Sequence, residues 1–228
     1  MKKIIDDAWL LGLGNANAVL LRDGDDLVLF DAGFPDKEQV VFDAIDQLGK
    51  RRSDLKHLIF THGHPDHIGS AAAIVRETGA TTWMHAADAP LAETGGPFRS
   101  MTRAPGLMHA LVFRMVWNPE ERMQPFGIDR HMADGDVLPL AGGLRVIGTP
   151  GHCAGQVAFL WRGERLLIGG DAFMNVFGLA DPVGFEDEAE GRRSQRKLAA
   201  LQFDAAAFGH GGALTSKAAS RIRHKLGM

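Results

Sequence analysis

The sequence is poor in the features that mark several classes of protein. Its 228 residues include one cysteine, Cys153, so no internal disulfide can form and nothing indicates an oxidising compartment. No run approaches the roughly 20 apolar residues that cross a bilayer. Lys and Arg number 25 against 28 Asp and Glu, and a net charge of −3 argues against nucleic-acid binding. We expect a soluble protein with no membrane span and no nucleic-acid partner.

The amino-terminal segment has some features of a signal peptide but lacks others. Two lysines precede an apolar patch, and residues 16–18 resemble a signal-peptidase site. Asp6 and Asp7, however, stand where the apolar region should begin, and the uninterrupted apolar run is too short. We therefore expect a cytoplasmic protein.

Short apolar runs that are typical of strands alternate with helical patterns along most of the chain. Strands are predicted over residues 18–22, 27–30, 58–60, 81–84, 137–140, 144–147, 157–161, 166–168 and 205–208. Helices are predicted after Asp36 as far as Gly49, and over residues 68–78, 196–201 and 216–226. This alternation predicts an α/β layered architecture. We expect one domain over residues 1–228.

The segment 86–134 breaks this alternation with five prolines and helical pieces between them. Residues 107–117 are apolar except for His109 and Arg114, and a helix that is apolar on nearly all faces must be buried. At ~1.5 Å per residue it is too short to span a membrane. Packing into the core, covering a substrate pocket and forming a homodimer contact all stay open, with membrane-surface attachment as a minor option.

Four residues with metal-binding side chains fall within a six-residue stretch directly after an apolar strand: His62, His64, Asp66 and His67. The carboxyl end of a strand is where α/β proteins place their sites. Neutral imidazoles and a carboxylate suit zinc and its first-row neighbours. Four ligands so close together are too crowded for one tetrahedral ion, so the cluster predicts two metal ions.

Three further residues of the same kind stand in matching settings. His152 lies in a Thr-Pro-Gly-His turn, Asp171 in Gly-Gly-Asp and His210 in Gly-His-Gly. Each follows an apolar strand and has glycine beside it. These residues are therefore candidates for the remaining ligands of two ions.

The ordered set resembles the metallo-β-lactamase superfamily. The pattern His-x-His-x-Asp-His at residues 62–67 is followed by a histidine turn, then Gly-Asp and then Gly-His, and Phe30-Asp31-Ala32-Gly33 matches an early aspartate motif of that superfamily. The resemblance runs from about residue 17 to residue 210, without the helical insert at 86–134. It implies an αββα four-layer sandwich with that insert.

The resemblance also implies a ligand set. One ion is bound by His62, His64 and His152. The other is bound by Asp66, His67 and His210. Asp171 bridges the two ions, and Asp31 orients a ligand histidine through its free ring nitrogen. Zinc is the expected metal, with iron or manganese as alternatives.

A metal-dependent hydrolase follows from this ligand set. Two divalent ions share a water and lower its pKa to roughly 7, so a bridging hydroxide is the nucleophile. Asp66 binds metal and also orients the hydroxide or moves a proton to the leaving group, which makes it the predicted catalytic residue. We expect hydrolysis of an ester, lactone or thioester in a small-molecule substrate.

Several features distinguish the activities within the superfamily. The chain has no tyrosine, whereas superfamily lactonases often place one near the metals. Glyoxalase II-like thioesterases keep all seven ligands and bind glutathione carboxylates with basic residues. The candidates for that role are Arg192, Arg193, Arg196 and Lys197. A solvated helix face is the simpler interpretation of these four. In place of the tyrosine of the lactonases, Phe173 and Phe177 suggest an apolar wall.

A mononuclear-iron enzyme resembling persulfide dioxygenases is the alternative from another class. Such enzymes keep the fold but hold one iron with two histidines and an aspartate, which His62, His152 and Asp171 match. The complete second set of ligands favours the hydrolase. We interpret His85 as a structural or pocket-edge residue and Cys153 as a small apolar filler.

Overall fold

The computed structural model describes residues 1–162 and 165–228. Its strands, numbered along the chain, are β1 (Lys2–Ile5), β2 (Ala8–Leu13), β3 (Ala16–Asp23), β4 (Asp26–Phe30), β5 (Leu55–Ile59), β6 (Thr81–His85), β7 (Thr102–Arg103), β8 (Arg130–Met132), β9 (Val137–Leu138), β10 (Leu144–Gly148), β11 (Val157–Trp161), β12 (Leu166–Ile168), β13 (Gly184–Phe185) and β14 (Ala205–Ala207). Its helices are α1 (Glu38–Gln47), α2 (Pro65–Ile68), α3 (Ala71–Thr78), α4 (Ala89–Thr94), α5 (Leu107–Val116), α6 (Glu188–Ala199) and α7 (Ala218–Lys225).

Two large sheets form the centre of the structure. The first has the strand order β1-β2-β3-β4-β5-β6-β8, and the second has the order β14-β12-β11-β10-β9. β3 and β4 form the predicted hairpin, while β4, β5 and β6 run parallel. β11 pairs antiparallel with β12 as predicted, although residues 163 and 164 of the turn between them lie outside the described residues. A small third sheet joins β7 to β13.

The apolar clusters show which surfaces the sheets bury. Between the two sheets, Phe30 packs edge-on against Phe159 with ring centroids 5.0 Å apart. The outer face of the first sheet is covered by α1 and α3, with Val41 in that layer. The outer face of the second sheet is covered by α6 and α7 through Leu198 and Ile222. Each sheet is apolar on both faces and is therefore covered on both sides, which produces the αββα order of layers.

Glycine ends the first two long helices, as predicted, but the predicted cap of α1 is wrong. α1 stops before Gly49 and α3 stops before Gly79, both in the left-handed conformation that ends many helices. Asp36 also has a left-handed backbone, with φ 61°, and makes no cap. Lys37 instead precedes the first turn of α1.

Helix α6 begins well before its predicted start at Arg196. The carboxylate of Asp187 caps its first turn by accepting a hydrogen bond from the backbone N–H of Glu190 at 2.9 Å. The buried residues in the amino-terminal part of this helix are Gly191, Ser194 and Gln195. Because these residues are small or polar, an apolar period is visible only in the last turn.

Helix α5 has no buried residue, which contradicts the expectation that it must be buried and argues against the core among the alternatives left open for it. Leu107 is 93% exposed and Met115 is 76% exposed. On the inner side, the ring of Phe113 stacks on Trp117 with centroids 6.2 Å apart and lies against Gly184 of β13. The helix lies outside both large sheets, so one side finds a packing partner and the other side faces solvent.

Among the described residues, each helix is too short or too polar to cross a membrane.

Candidate metal centre

The seven predicted ligands all follow strands and come together at one place. His62 and His64 follow β5, and Asp66 and His67 lie in the first turn of α2. The other three follow strands β10, β12 and β14 of the second sheet; they are His152, Asp171 and His210. Loops from both sheets therefore converge at the carboxyl ends of their strands, as expected for an α/β site.

His62, His64 and His152 form one compact group, which we call the first trio. One nitrogen of each ring lies within 4.8 Å of the others. Nδ1 of His64 lies 2.9 Å from Nε2 of His152. All three residues are buried, and none of the three side chains is a carboxylate.

Asp66, His67 and His210 form a second group, the second trio, whose ligand atoms also lie within 4.8 Å of one another. Nε2 of His210 is 3.2 Å from Oδ2 of Asp66, and Nε2 of His67 is 3.8 Å from the same oxygen. His67 is buried, whereas the side chains of His210 and Asp66 are 15% and 21% exposed. The second trio therefore forms the more open half of the centre.

Asp171 lies between the two trios. Its Oδ1 is 3.4 Å from Nε2 of His67, and its Oδ2 is 3.1 Å from Nε2 of His210. The same Oδ2 is 3.7 Å from Nε2 of His152 in the first trio. One buried carboxylate thus reaches both groups.

Asp31 orients a histidine of each trio. Its Oδ2 accepts a hydrogen bond from Nδ1 of His67 at 2.9 Å, which directs Nε2 of that ring into the centre. It also accepts from the backbone N–H and the hydroxyl of Thr61, both at 2.8 Å. Because the Thr61 hydroxyl donates its proton to Asp31, it accepts from Nδ1 of His62 at 3.0 Å. The left-handed backbone of Asp31, with φ 63°, is a strained conformation of the kind found at functional sites.

Backbone carbonyls orient two more rings. Nδ1 of His152 donates to the carbonyl of Gly184 at 2.8 Å, and Nδ1 of His210 donates to the carbonyl of Asn15 at 2.8 Å. Each bond leaves Nε2 of the ring with its lone pair facing the centre. Gly184 and Asn15 could not be predicted from the sequence because a carbonyl acceptor has no side-chain signal. Thr61 was not predicted either, although it directly precedes the histidine motif.

The two trios favour opposite protonation states. Burial lowers the pKa of each histidine in the first trio below its usual value. Burial also opposes protonation of His67, but the charges of Asp66 and Asp171 outweigh it and raise the pKa of His67 to about 10. Against burial, Asp171 raises the pKa of His210 in the same way. The second trio therefore attracts positive charge, whereas the first trio presents neutral imidazoles.

Four polar atoms at this centre are buried without a hydrogen-bond partner among residues 1–162 and 165–228: Nε2 of His62, His64 and His67, and Oδ1 of Asp171. Leaving such atoms unpaired costs about 1–3 kcal/mol each. Imidazole nitrogens and carboxylate oxygens are zinc ligands, and bonds of about 2.0–2.1 Å in a tetrahedron place ligand atoms roughly 3.3 Å apart. The 3.4 Å separation of His67 and Asp171 suits this spacing. The residues fit divalent metal ions.

The insert contributes apolar side chains next to this centre. The ring of Trp117 meets the ring of His64 at a centroid distance of 5.1 Å.

The two phenylalanines predicted to form an apolar wall differ in burial. Phe177 is fully exposed. Phe173, in contrast, is buried against Phe208 with ring centroids 6.0 Å apart, so its predicted place in a substrate wall is wrong. The side chain of Phe173 turns into the core under the second sheet.

Two other candidates have structural contacts. Nδ1 of His85 accepts from the backbone N–H of Ala87 at 3.1 Å, which is a local turn contact. Cys153 is fully buried, but its thiol donates to Oδ2 of Asp88 at 3.0 Å. The expectation that Cys153 is only an apolar filler is therefore wrong.

Comparison with known protein families agrees with this arrangement. Residues 11–210 match the model of the metallo-beta-lactamase superfamily, a range that includes every residue of both trios. The chain belongs to the metallo-beta-lactamase superfamily.

Several relatives in this superfamily carry hydrolase names. The probable metallo-hydrolase YflN of Bacillus subtilis is 30% identical over 208 residues, which are 83% of this chain and 77% of that protein. A hydroxyacylglutathione hydrolase of Rhizobium meliloti is 29% identical over 73% of this chain. The match covers 52% of that hydrolase, so the chain spans about half its length.

Solved structures of metallo-beta-lactamases share the fold. A subclass B3 enzyme of Bradyrhizobium japonicum has a TM-score of 0.74 at 22% identity, with 99% of this chain and 89% of that chain covered. A HARLDQ-motif mutant of the enzyme from Cronobacter sakazakii has a TM-score of 0.71 at 26% identity, with 91% and 79% covered. The predicted superfamily, fold and hydrolase class are confirmed. The number of ions, their identity and the substrate stay predictions.

Proposed function

We propose that this metallo-beta-lactamase superfamily member holds two divalent ions, with zinc as the first choice, and cleaves an ester, lactone or thioester. The observation that carries the proposal is the pair of separate ligand groups with one carboxylate between them. In the one domain that we propose for residues 1–228, the first trio holds one ion, the second trio holds the other and Asp171 reaches both. A cytoplasmic location stays a prediction.

The chemistry of the reaction divides between the ions and the protein. When bound, two divalent ions supply a hydroxide nucleophile at neutral pH and polarise the substrate carbonyl. The protein keeps the ligand rings in the required orientation through Asp31, Thr61 and the carbonyl of Gly184. Rings held in this way need little rearrangement when the substrate arrives.

Asp66 is the proposed catalytic residue. Its side chain is 21% exposed, whereas that of Asp171 is 5% exposed, so Asp66 is the carboxylate that a water or a leaving group reaches first. Its Oδ2 lies 3.2 Å from Nε2 of His210, its neighbour in the second trio. In this position Asp66 orients the attacking water and passes a proton to the departing alkoxide or thiolate.

The hydroxyacylglutathione hydrolases among the relatives support a thioester as one substrate class. Three of the four basic residues of α6 are already paired with carboxylates, which argues against recognition of the glutathione carboxylates by that helix. Arg192 pairs with Asp181 at 2.7 Å, and Lys197 pairs with Asp134 at 2.8 Å. Because internal carboxylates already neutralise these cations, we assign substrate contact to Phe113 and Trp117 of the insert, as an apolar cover over the site.

Metal analysis tests the two-ion proposal. Purified protein should contain about two ions per chain by elemental analysis. His64→Ala and His210→Ala should each retain about one, because each change removes a ligand from one trio only. A wild-type protein with one iron, together with oxygen uptake on glutathione persulfide, would overturn the hydrolase in favour of the dioxygenase-like alternative.

A substrate panel tests the reaction class. It comprises aryl esters, lactones, a glutathione thioester, a cephalosporin and a phosphodiester. We expect slow turnover of esters or lactones, with removal of metal by a chelator abolishing it. Activity on the phosphodiester alone would contradict the proposed substrate class.

A further inference from the structure

A buried carboxylate outside the ligand set connects the two loops of the first trio. Asp88 opens helix α4 and is fully buried. Its Oδ2 accepts from the backbone N–H of Gly63, the residue between His62 and His64, at 2.9 Å. Its Oδ1 accepts from the backbone N–H of Gly155, in the loop that carries His152, at 2.9 Å. One side chain therefore spans the gap between the two loops.

The loops are shaped for this close approach. A Cβ added at Gly155 would lie 2.5 Å from Cγ of Asp88, and one added at Gly63 would lie 3.2 Å from Cβ of Asp88. Such short separations leave no room for a side chain at Gly155 and little at Gly63. Glycine at both positions lets the backbone of each loop reach the carboxylate.

Arg99 from the insert supplies the counter-charge. Its guanidinium forms an ion pair with Asp88, and its Nε donates to Oε1 of Glu186 at 2.8 Å. Glu186 in turn accepts from the backbone N–H of Ala154 through Oε2 at 2.8 Å. The thiol of Cys153 completes the shell of Asp88 at 3.0 Å. Because this guanidinium already provides the cation, the cluster does not need a metal ion of its own.

We propose that Asp88, with Arg99 as its counter-charge, is a positioning residue that sets the spacing between the His62–His64 loop and the His152 loop. The inference rests on the proposed function, since the spacing of these loops determines how well the first trio binds its ion. Both oxygens of Asp88 are occupied by protein donors, so Asp88 acts through the loops and not as a ligand. Outer contacts of this kind typically change metal affinity by about 10–100-fold.

Asp88→Asn tests the role with little change in size. An amide has one acceptor oxygen, so the N–H of either Gly63 or Gly155 must then face an NH₂ group. We expect the affinity of the first trio for its ion to fall by about 10–100-fold, while the affinity of the second trio is unchanged. Chelator competition measures both affinities, and the absorption spectrum of the Co²⁺-loaded protein reports the altered geometry of the first trio.

Arg99→Gln is the second variant, and it decides the matter if Asp88→Asn does not fold. The side chain of Arg99 is 33% exposed, so water can partly replace it beside Asp88. The variant should weaken the same ion and shift the same Co²⁺ bands. Glu93→Gln, which changes an exposed carboxylate on α4, is the matched control and should leave both unchanged.

Two failures of this experiment are distinguishable. Folded variants that bind both ions with wild-type affinity and a wild-type Co²⁺ spectrum, but melt at lower temperature, would overturn the positioning role alone. A wild-type protein that binds no ion at the first trio would overturn the proposed function itself.

Discussion

The two ligand trios differ in charge, exposure and support. The first trio consists of three buried histidines that burial keeps neutral. The second trio contains a carboxylate, and its His67 has a pKa raised to about 10 by nearby carboxylates. Asp66 and His210 of the second trio also reach solvent, with side chains 21% and 15% exposed. One half is thus closed and neutral, and the other is open and acidic.

Apart from Asp31, which reaches His67 directly and His62 through Thr61, the trios are held by different parts of the molecule. The insert supports the first trio, because Asp88 and Arg99 hold its loops and β7 pairs with β13, whose Gly184 orients His152. The second trio is supported by Asp31 at the end of β4 and by the carbonyl of Asn15. A change in the insert should therefore reach the first trio, while a change near β4 should reach the second trio directly.

Replacing Asp171 removes the feature that the two trios share and should have the largest effect. Asp171→Ala should lose both ions and reduce turnover by more than the roughly 100-fold that an outer-contact change causes. Elemental analysis and steady-state kinetics measure the two effects. Asp204→Ala, an exposed aspartate at the end of the same sheet, is the control and should behave as wild type. Retention of both ions by Asp171→Ala would show that the two trios are independent.

Asp31→Asn tests the support of the second trio. The amide accepts fewer hydrogen bonds than the carboxylate, so His67 and Thr61 lose their common acceptor. We expect kcat/KM to fall by about 10–100-fold, with the second ion more weakened than the first. Asp36→Asn is a matched control, because Asp36 has nearly the same left-handed backbone but is exposed. An equal loss in both variants would contradict an orienting role.

Phe113→Ala tests whether the insert also acts as a cover. Loss of this ring should raise KM several-fold and change kcat less, because the ring contacts bound substrate and not the reacting atoms. Trp117→Ala should raise KM too, although its contact with His64 adds an effect on kcat. Leu111→Ala changes the exposed outer side of α5 and should leave both constants unchanged. If Phe113→Ala has unchanged kinetics but a lower Tm or a dissociated dimer, the proposal that α5 covers the site is contradicted.

The charge difference between the two trios should also make the stability of the metal-free protein depend on pH. This is the smallest of the expected effects. Below about pH 6.5 the three histidines of the first trio bind more protons in the unfolded chain than in the folded protein. Stability therefore falls as pH falls. Between about 6.5 and about 10 the folded protein binds more protons at His67, so stability falls as pH rises. The Tm of EDTA-treated protein should therefore peak near pH 6.5 and decrease on either side, by about 2–4 °C for each kcal/mol of lost stability.

Two variants test whether His67 causes the fall in Tm above pH 6.5. His67→Gln should make the decline above pH 6.5 smaller, since only the raised pKa of His210 then contributes to it, whereas His224→Gln, at an exposed histidine, should leave it unchanged. A metal-free Tm that rises steadily to pH 10 would contradict the raised pKa of His67.

The candidate ligands could be predicted because each group of them directly follows a strand, with four of the seven after β5. An apolar run that ends in His, Asp and Gly is a local pattern, and five such patterns in order indicate one site. The partners of the ligands could not be predicted in this way. The bond from His210 to the carbonyl of Asn15 joins residues 195 positions apart, and Gly184 acts through its backbone. Neither contact depends on a side chain that a pattern can recognise.

The sequence by itself therefore determined the layers, the superfamily and the candidate ligands, because strand periodicity and short motifs are local properties. Only the tertiary structure decided how α5 lies, since an apolar pattern reports what a helix can bury and not what is present to cover it. It also decided that Phe173 packs in the core and that Asp88 joins two loops. These outcomes depend on which residues from distant parts of the chain meet, and sequence spacing does not contain that information.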